Sequence, residues 1–140
     1  MAFQKVIMYT DGGARGNPGK AAVGVVIEPI GKEFSATIGE ATNNIAEYRA
    51  LIFGLQKLEE ACGREKSKAL EVEVRSDSEL MVKQLNGVYR VKDEKLQPLF
   101  VKARELASVF KKVIFTSIPR EKNKRADALV NEALDKQKAR

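Results

Sequence analysis

An α/β fold built on a sheet of mixed strand direction is what the sequence predicts, and two observations carry that expectation. Three strand-like runs come first, with no helical periodicity between them. Two more follow, each set apart by stretches whose apolar residues recur at helical spacing. Three strands, a helix, a strand, one or two helices, a strand and a final helix make a five-stranded mixed sheet flanked by helices.

Residues 3–9 are rich in Val, Ile and aromatics and bounded by Gly12-Gly13, which predicts the first strand with Asp11 at its end, opening a glycine-rich turn. The second strand spans 21–27, and the Pro29-Ile30-Gly31 break predicts a hairpin into a third over 33–38. Asn44 opens a long helix striped by Ile45, Tyr48, Ile52, Leu55 and Cys62 and widened by Leu51 and Leu58. Over 69–75, Leu70, Val72 and Val74 alternate with Glu71, Glu73 and Arg75, the pattern of a half-buried strand. A short helix over 78–85 closes at Asn86-Gly87. The next carries Leu96, Leu99, Phe100, Ala103, Leu106, Ala107 and Phe110 along one face. A fifth strand over 112–118 stops at Pro119, and a last helix over 123–136 buries Ala126, Leu129, Val130, Ala133 and Leu134.

Composition narrows the chemistry. At 140 residues, with no internal repeat or low-complexity linker, the chain reads as one domain large enough for a real core. Lys and Arg total 25 against 19 acidic residues, a net +6 that suits a polyanionic partner. Cys62 stands alone, which rules out an internal disulfide or a thiolate zinc site and favours a buried apolar thiol. Histidine is absent, so no Ser-His-Asp or Cys-His triad and no imidazole metal site can form. The Met-Ala-Phe-Gln-Lys start has no signal-peptide core and no run reaches a membrane span, so the expected location is cytoplasmic.

Four acidic residues stand in structured settings: Asp11, Glu47, Asp77 and Asp127. Each has a plain alternative. Asp11 can start a turn before Gly12-Gly13. Asn44-x-x-Glu47 and Ser76-x-x-Glu79 fit capping boxes, and Asp127 in a first helical turn complements the helix dipole. Together they point to carboxylates gathered at one sheet edge, where ligand sites of open α/β sheets form. Oxygen-only clusters hold Mg²⁺, and a pair of such ions can cut a phosphodiester. Gly16-Asn17-Pro18-Gly19 is a second turn signal without the GK[ST] ending of a phosphate-binding loop, and no Gly-x-Gly-x-x-Gly follows the first strand.

The ordered segments Thr-Asp-Gly-Gly with Gly-Asn-Pro-Gly, Thr-Asn-Asn-x-x-Glu-Tyr, Asp-Ser-x-Leu and Asn-x-x-Ala-Asp-x-Leu resemble the signature of type 1 ribonuclease H, over nearly the whole chain. The resemblance implies a single ribonuclease H-like catalytic domain over 1–140 that cuts the RNA strand of RNA/DNA hybrids, leaving 5′-phosphate and 3′-hydroxyl ends. It implies that Asp11, Glu47, Asp77 and Asp127 are the catalytic carboxylates and hold two Mg²⁺ ions, with Mn²⁺ as an alternative, Asp11 touching both. Glu47 would also accept from a ribose 2′-hydroxyl. Asn17 and Asn44 would reach the minor groove, and Thr42 with Asn43 would hold a phosphate of the DNA strand. The implied partner is an RNA/DNA hybrid, with double-stranded RNA a further substrate, and the protein works as a monomer away from membranes.

Three departures from the family pattern bear on function. Glu79 replaces a groove-contacting Gln and is expected to turn away to cap its helix or to hold an outer metal water. The loop Pro119-Arg120-Glu121-Lys122-Asn123 lacks the mobile histidine of many relatives. The basic protrusion is absent from 87–95, so substrate grip is expected from Arg15, Lys20 and the cluster Arg120, Lys122, Lys124, Arg125. Met1 and the basic end at Arg140 favour a stand-alone enzyme. The competing readings are the same fold cutting double-stranded RNA or a DNA strand, and a non-catalytic hybrid-binding module.

Overall fold

The computed structural model describes residues 4–138. The expected strand start at Phe3 lies outside them. The chain order is β1 (Lys5–Gly16), β2 (Gly19–Glu28), β3 (Lys32–Ala41), α1 (Asn43–Cys62), α2 (Arg64–Ser67), β4 (Glu71–Ser76), α3 (Glu79–Leu85), α4 (Gln97–Ala107), β5 (Lys112–Ser117), a 3₁₀ turn (Arg120–Lys122) and α5 (Lys124–Lys138). The strands form one sheet in the order β3-β2-β1-β4-β5. β1, β2 and β3 pair antiparallel, while β1, β4 and β5 pair parallel, so the expected mixed sheet is present.

Strand alternation divides β1 between two layers. Val6 and Met8 face α1 and join a large core with Tyr48, Leu51, Leu55, Leu58, Val72, Val74 and Met81. Tyr9 faces the other way, against Val26, Ala126 and Leu129 beneath α5. Helix α1 buries more of its circumference than its stripe predicts because it packs on β1 and β2 and against α4. Among the described residues, no helix is long and apolar enough to cross a membrane.

Two expectations need correction. Gly12-Gly13 does not end the first strand: β1 runs on to Gly16, and Gly12 and Gly13 pair with Val23 and Ala22 of β2. The turn comes at Asn17-Pro18, the second turn signal. The long helix begins one residue before Asn44, capped by Thr42, whose Oγ1 accepts from the Ile45 N–H at 3.2 Å. Four-residue α2 escaped notice because one turn is too short to show periodicity.

Candidate active site

The parallel and antiparallel halves of the sheet diverge at β1. Its parallel ladder to β4 ends at Thr10 opposite Ser76, so Asp11 and Asp77 are each the first residue beyond it on adjacent strands. The antiparallel ladder continues, with Asp11 opposite Gly24 of β2.

Two glycines bring helices onto this point. A Cβ on Gly12 would lie 2.1 Å from the Ala46 carbonyl oxygen and 2.7 Å from the Glu47 nitrogen, so only glycine lets α1 pass this closely. A Cβ on Gly24 would lie 2.4 Å from the Ala126 oxygen, so the same holds for α5 on the opposite face. Glu47 on α1 and Asp127 on α5 thereby close on Asp11 from two sides.

Asp11, Glu47 and Asp77 each place a carboxylate oxygen within 4.8 Å of the others. Asp127 lines the same cleft, near enough for its charge to act on Asp11. Glu47 accepts the Gly12 N–H at 2.9 Å, and Asp77 accepts from Asn123 Nδ2 at 3.3 Å. The same Asn123 amide donates to the Thr10 carbonyl at 2.9 Å, tying β1, β4 and the start of α5 together. The four carboxylates open into a cleft of about 410 Å³ that Arg15, Asn43, Arg120 and Asn131 also line.

Burial is the largest force on these groups. It pushes Asp11 up to about 8, helped by the charges of Asp77 and Asp127, while Arg120 opposes it. Burial also holds Glu47 well above the usual carboxylate range, reinforced by Asp11 and Asp77 and countered by the Gly12 N–H. Like charges this close resist ionising together near neutral pH, and a bound cation relieves them. An oxygen-only donor set with such a demand fits a hard divalent metal.

The capping readings of Glu47 and of the Ser76–Glu79 pair fail here. Glu47 does not cap α1, since Thr42 does, and Glu47 reaches Gly12 instead. Ser76 and Glu79 form no capping box: Ser78 caps α3 by accepting from the Met81 N–H at 3.3 Å. Glu79 is exposed and paired with Lys83 instead of capping its helix, because the Ser78 hydroxyl already takes that place. Asp127 does lie in the first turn of α5.

Asn17, Thr42, Asn43 and Asn44 sit together around the start of α1 and the adjacent hairpin. Asn17 Oδ1 accepts from the Asn43 N–H at 3.0 Å, and Asn43 Oδ1 accepts from the Ala14 N–H at 2.9 Å. Asn44 is exposed. The basic cluster is divided between two hollows. Arg120 lines the carboxylate cleft, whereas Lys122, Lys124 and Arg125 line a neighbouring hollow with Tyr9 and Glu28. Arg125 is held by both oxygens of Glu33 at 2.8 Å, and Arg15 by Asp135 at 2.7 Å. Asn131 escaped sequence reasoning, because a polar residue on an amphipathic helix looks like any solvated position.

A family described as Reverse transcriptase-like matches residues 9–133. The chain is 46% identical over 135 residues to Ribonuclease HI of Halobacterium salinarum, covering 94% of this chain and 65% of that protein. It is 43% identical over 136 residues to the Bifunctional protein Rv2228c of Mycobacterium tuberculosis, of which it spans only 36%. Its fold is similar to that of LC11-RNase H1, solved in complex with an RNA/DNA hybrid, with a TM-score of 0.88 and 52% identity over 94% of this chain and 98% of that one.

Proposed function

The chain belongs to the ribonuclease H-like family, and from that premise we propose that it is a ribonuclease H, hydrolysing the RNA strand of RNA/DNA hybrids endonucleolytically with 5′-phosphate and 3′-hydroxyl products. The observation that carries this reading is the packing of Asp11, Glu47 and Asp77 oxygens within 4.8 Å, in a cleft that Asp127 shares. These four residues would hold two Mg²⁺ ions, or Mn²⁺ in their place. Such a pair, when bound, supplies an activated water and stabilises the charge of the leaving 3′ oxygen.

The chain's own groups divide the remaining work. Asp11, which neighbours Glu47 and Asp77 and feels the charges of Asp77 and Asp127, would serve both ions. Glu47 is held by the Gly12 N–H through one oxygen, Oε1, leaving the other for a ribose 2′-hydroxyl or a metal. Asn123 keeps Asp77 at the cleft, and Arg120 offsets negative charge at Asp11.

The substrate-facing side chains share a pattern. Asn17, Thr42 and Asn43 each use a side-chain oxygen to accept a backbone N–H within the protein. That leaves their N–H or O–H groups to donate outward, to phosphate oxygens or to the acceptor edges of the minor groove. Asn44, exposed beside them, completes the set. None of these contacts reads sequence, which suits a nuclease that recognises backbone chemistry.

The test is a gel assay of strand-labelled RNA/DNA hybrid, double-stranded RNA, double-stranded DNA and single-stranded RNA with Mg²⁺, Mn²⁺ or EDTA. Metal-dependent cutting of the RNA strand of the hybrid is expected, and cutting of double-stranded RNA besides would widen the substrate class. Hybrid bound but left whole with either metal would overturn the reading in favour of a binding module.

A further inference from the structure

The β1–β2 hairpin touches both helices that carry site carboxylates. Towards α1 it is tied by the Asn17 and Asn43 bonds. Towards α5 the tie is Arg15, whose Nη2 meets Asp135 Oδ1 at 2.7 Å and the Asn131 Oδ1 acceptor at 3.4 Å. Asn131 in turn directs its Nδ2 at Asp127, reaching the backbone carbonyl at 3.1 Å and carboxylate Oδ2 at 3.5 Å. Asn131 and Arg15 both line the carboxylate cleft.

The amide of Asn131 has two ends with different partners. Arg15 has only donors, so it selects the carbonyl end and leaves the NH₂ end pointing at Asp127. Without Arg15 the amide could turn over and present an oxygen to a carboxylate, a repulsive contact. Asp135 fixes Arg15, and the chain Asp135, Arg15, Asn131, Asp127 runs from solvent to the site. On the reading of Asp127 as a metal ligand, which this inference rests on, we propose that Asn131 is a positioning residue that orients the Asp127 carboxylate for metal, with its amide set by Arg15.

Hydrogen-bond partners of metal ligands are worth about 10- to 100-fold in metal affinity; the long, exposed contacts here put the expected loss for Asn131→Ala at the lower end, about 10-fold. The test measures Mn²⁺ binding by electron paramagnetic resonance on the whole chain without substrate, so that any grip of Arg15 on nucleic acid does not enter. Asn131→Ala, Arg15→Ala, the double variant and Asp127→Asn are compared, with melting in EDTA to verify the fold. Both positions are exposed, so the variants should fold.

Asn131→Ala should weaken Mn²⁺ binding and raise the Mg²⁺ needed for half-maximal cleavage by a similar factor, leaving KM for hybrid at saturating metal within about twofold. Arg15→Ala should move binding in the same direction. The double variant should match Asn131→Ala alone, because both residues act through one contact. Unchanged Mn²⁺ binding in Asn131→Ala, or full additivity of the two substitutions, would overturn the inference. Asp127→Asn separates the two levels. If it too leaves Mn²⁺ binding and cleavage intact, the proposed site itself falls; if it impairs them while Asn131→Ala does not, only the positioning role is lost.

Discussion

Gly12 and Glu47 define each other's place: the Gly12 N–H donates to Glu47 Oε1 at 2.9 Å, and the backbone of α1 lies over Gly12 where a Cβ would stand 2.1 Å from an oxygen. The glycine is therefore both the spacer that admits the helix and the donor that aims its carboxylate. Gly12→Ala should force α1 outward and cost at least about 3 kcal/mol, the upper end for an overpacked site. Urea denaturation checks this, and a variant as stable as the parent would show that the close approach does not hold in solution.

Asp11 makes the metal-free protein sensitive to pH. Its proton is held more tightly in the folded state, up to about 8 against the 3.8 of an ordinary aspartate. The stability this contributes is complete below the unfolded value and lost as pH rises through the folded one. In EDTA, stability should fall across that interval, and Asp11→Asn should flatten the fall. Each tenfold change in proton affinity is worth about 1.4 kcal/mol, so Asp11→Asn should exceed the parent by at least that much at the alkaline end. Parallel pH profiles for the two proteins in EDTA would contradict the electrostatic account.

Asn123 is 1% exposed, and its amide serves the Thr10 carbonyl and Asp77 together. Asn123→Ala should cost about 1–3 kcal/mol, the penalty for losing a buried partner. It should also lower kcat by releasing Asp77. A loss of stability with kcat preserved would confine Asn123 to a structural part.

Hybrid binding should weaken steeply with salt, because cationic side chains that meet phosphate release counterions. Arg120 and Arg125 differ in this respect. Arg120 lines the carboxylate cleft, while both Glu33 oxygens hold the Arg125 guanidinium. In an Asp11→Asn background, Arg120→Ala should reduce the log–log salt slope by about 0.9, one phosphate contact, and Arg125→Ala should leave it unchanged. Equal effects from the two would mean that the ion pair to Glu33 opens on binding.

Most of the architecture was legible because its signals are periodic: the alternation of Leu70, Val72 and Val74 and the helical stripe from Tyr48 to Leu58 both mark buried faces. Local chemistry was ambiguous where neighbours offer the same group. Thr42, not Asn44, caps α1, and Ser78, not Ser76, caps α3, since hydroxyl and amide acceptors one or two residues apart look alike in sequence. Gly12-Gly13 resembled a turn because glycine marks turns and close approaches equally, and only the position of α1 distinguishes them. Asn131 had no signal at all: its meaning lies in Arg15, which is far away along the chain and adjacent only in the fold.

Asp11, Glu47, Asp77 and Asp127 would act as one metal-dependent site for cutting RNA in a hybrid. The most direct measurement compares the parent and Asp11→Asn on a hybrid labelled in the RNA strand, with Mg²⁺ and with EDTA, alongside a melting curve for each protein. The parent should cleave RNA with Mg²⁺ alone, and a fully folded Asp11→Asn should not cleave it. Cleavage by Asp11→Asn at the parental rate, or by the parent in EDTA, would contradict that reading.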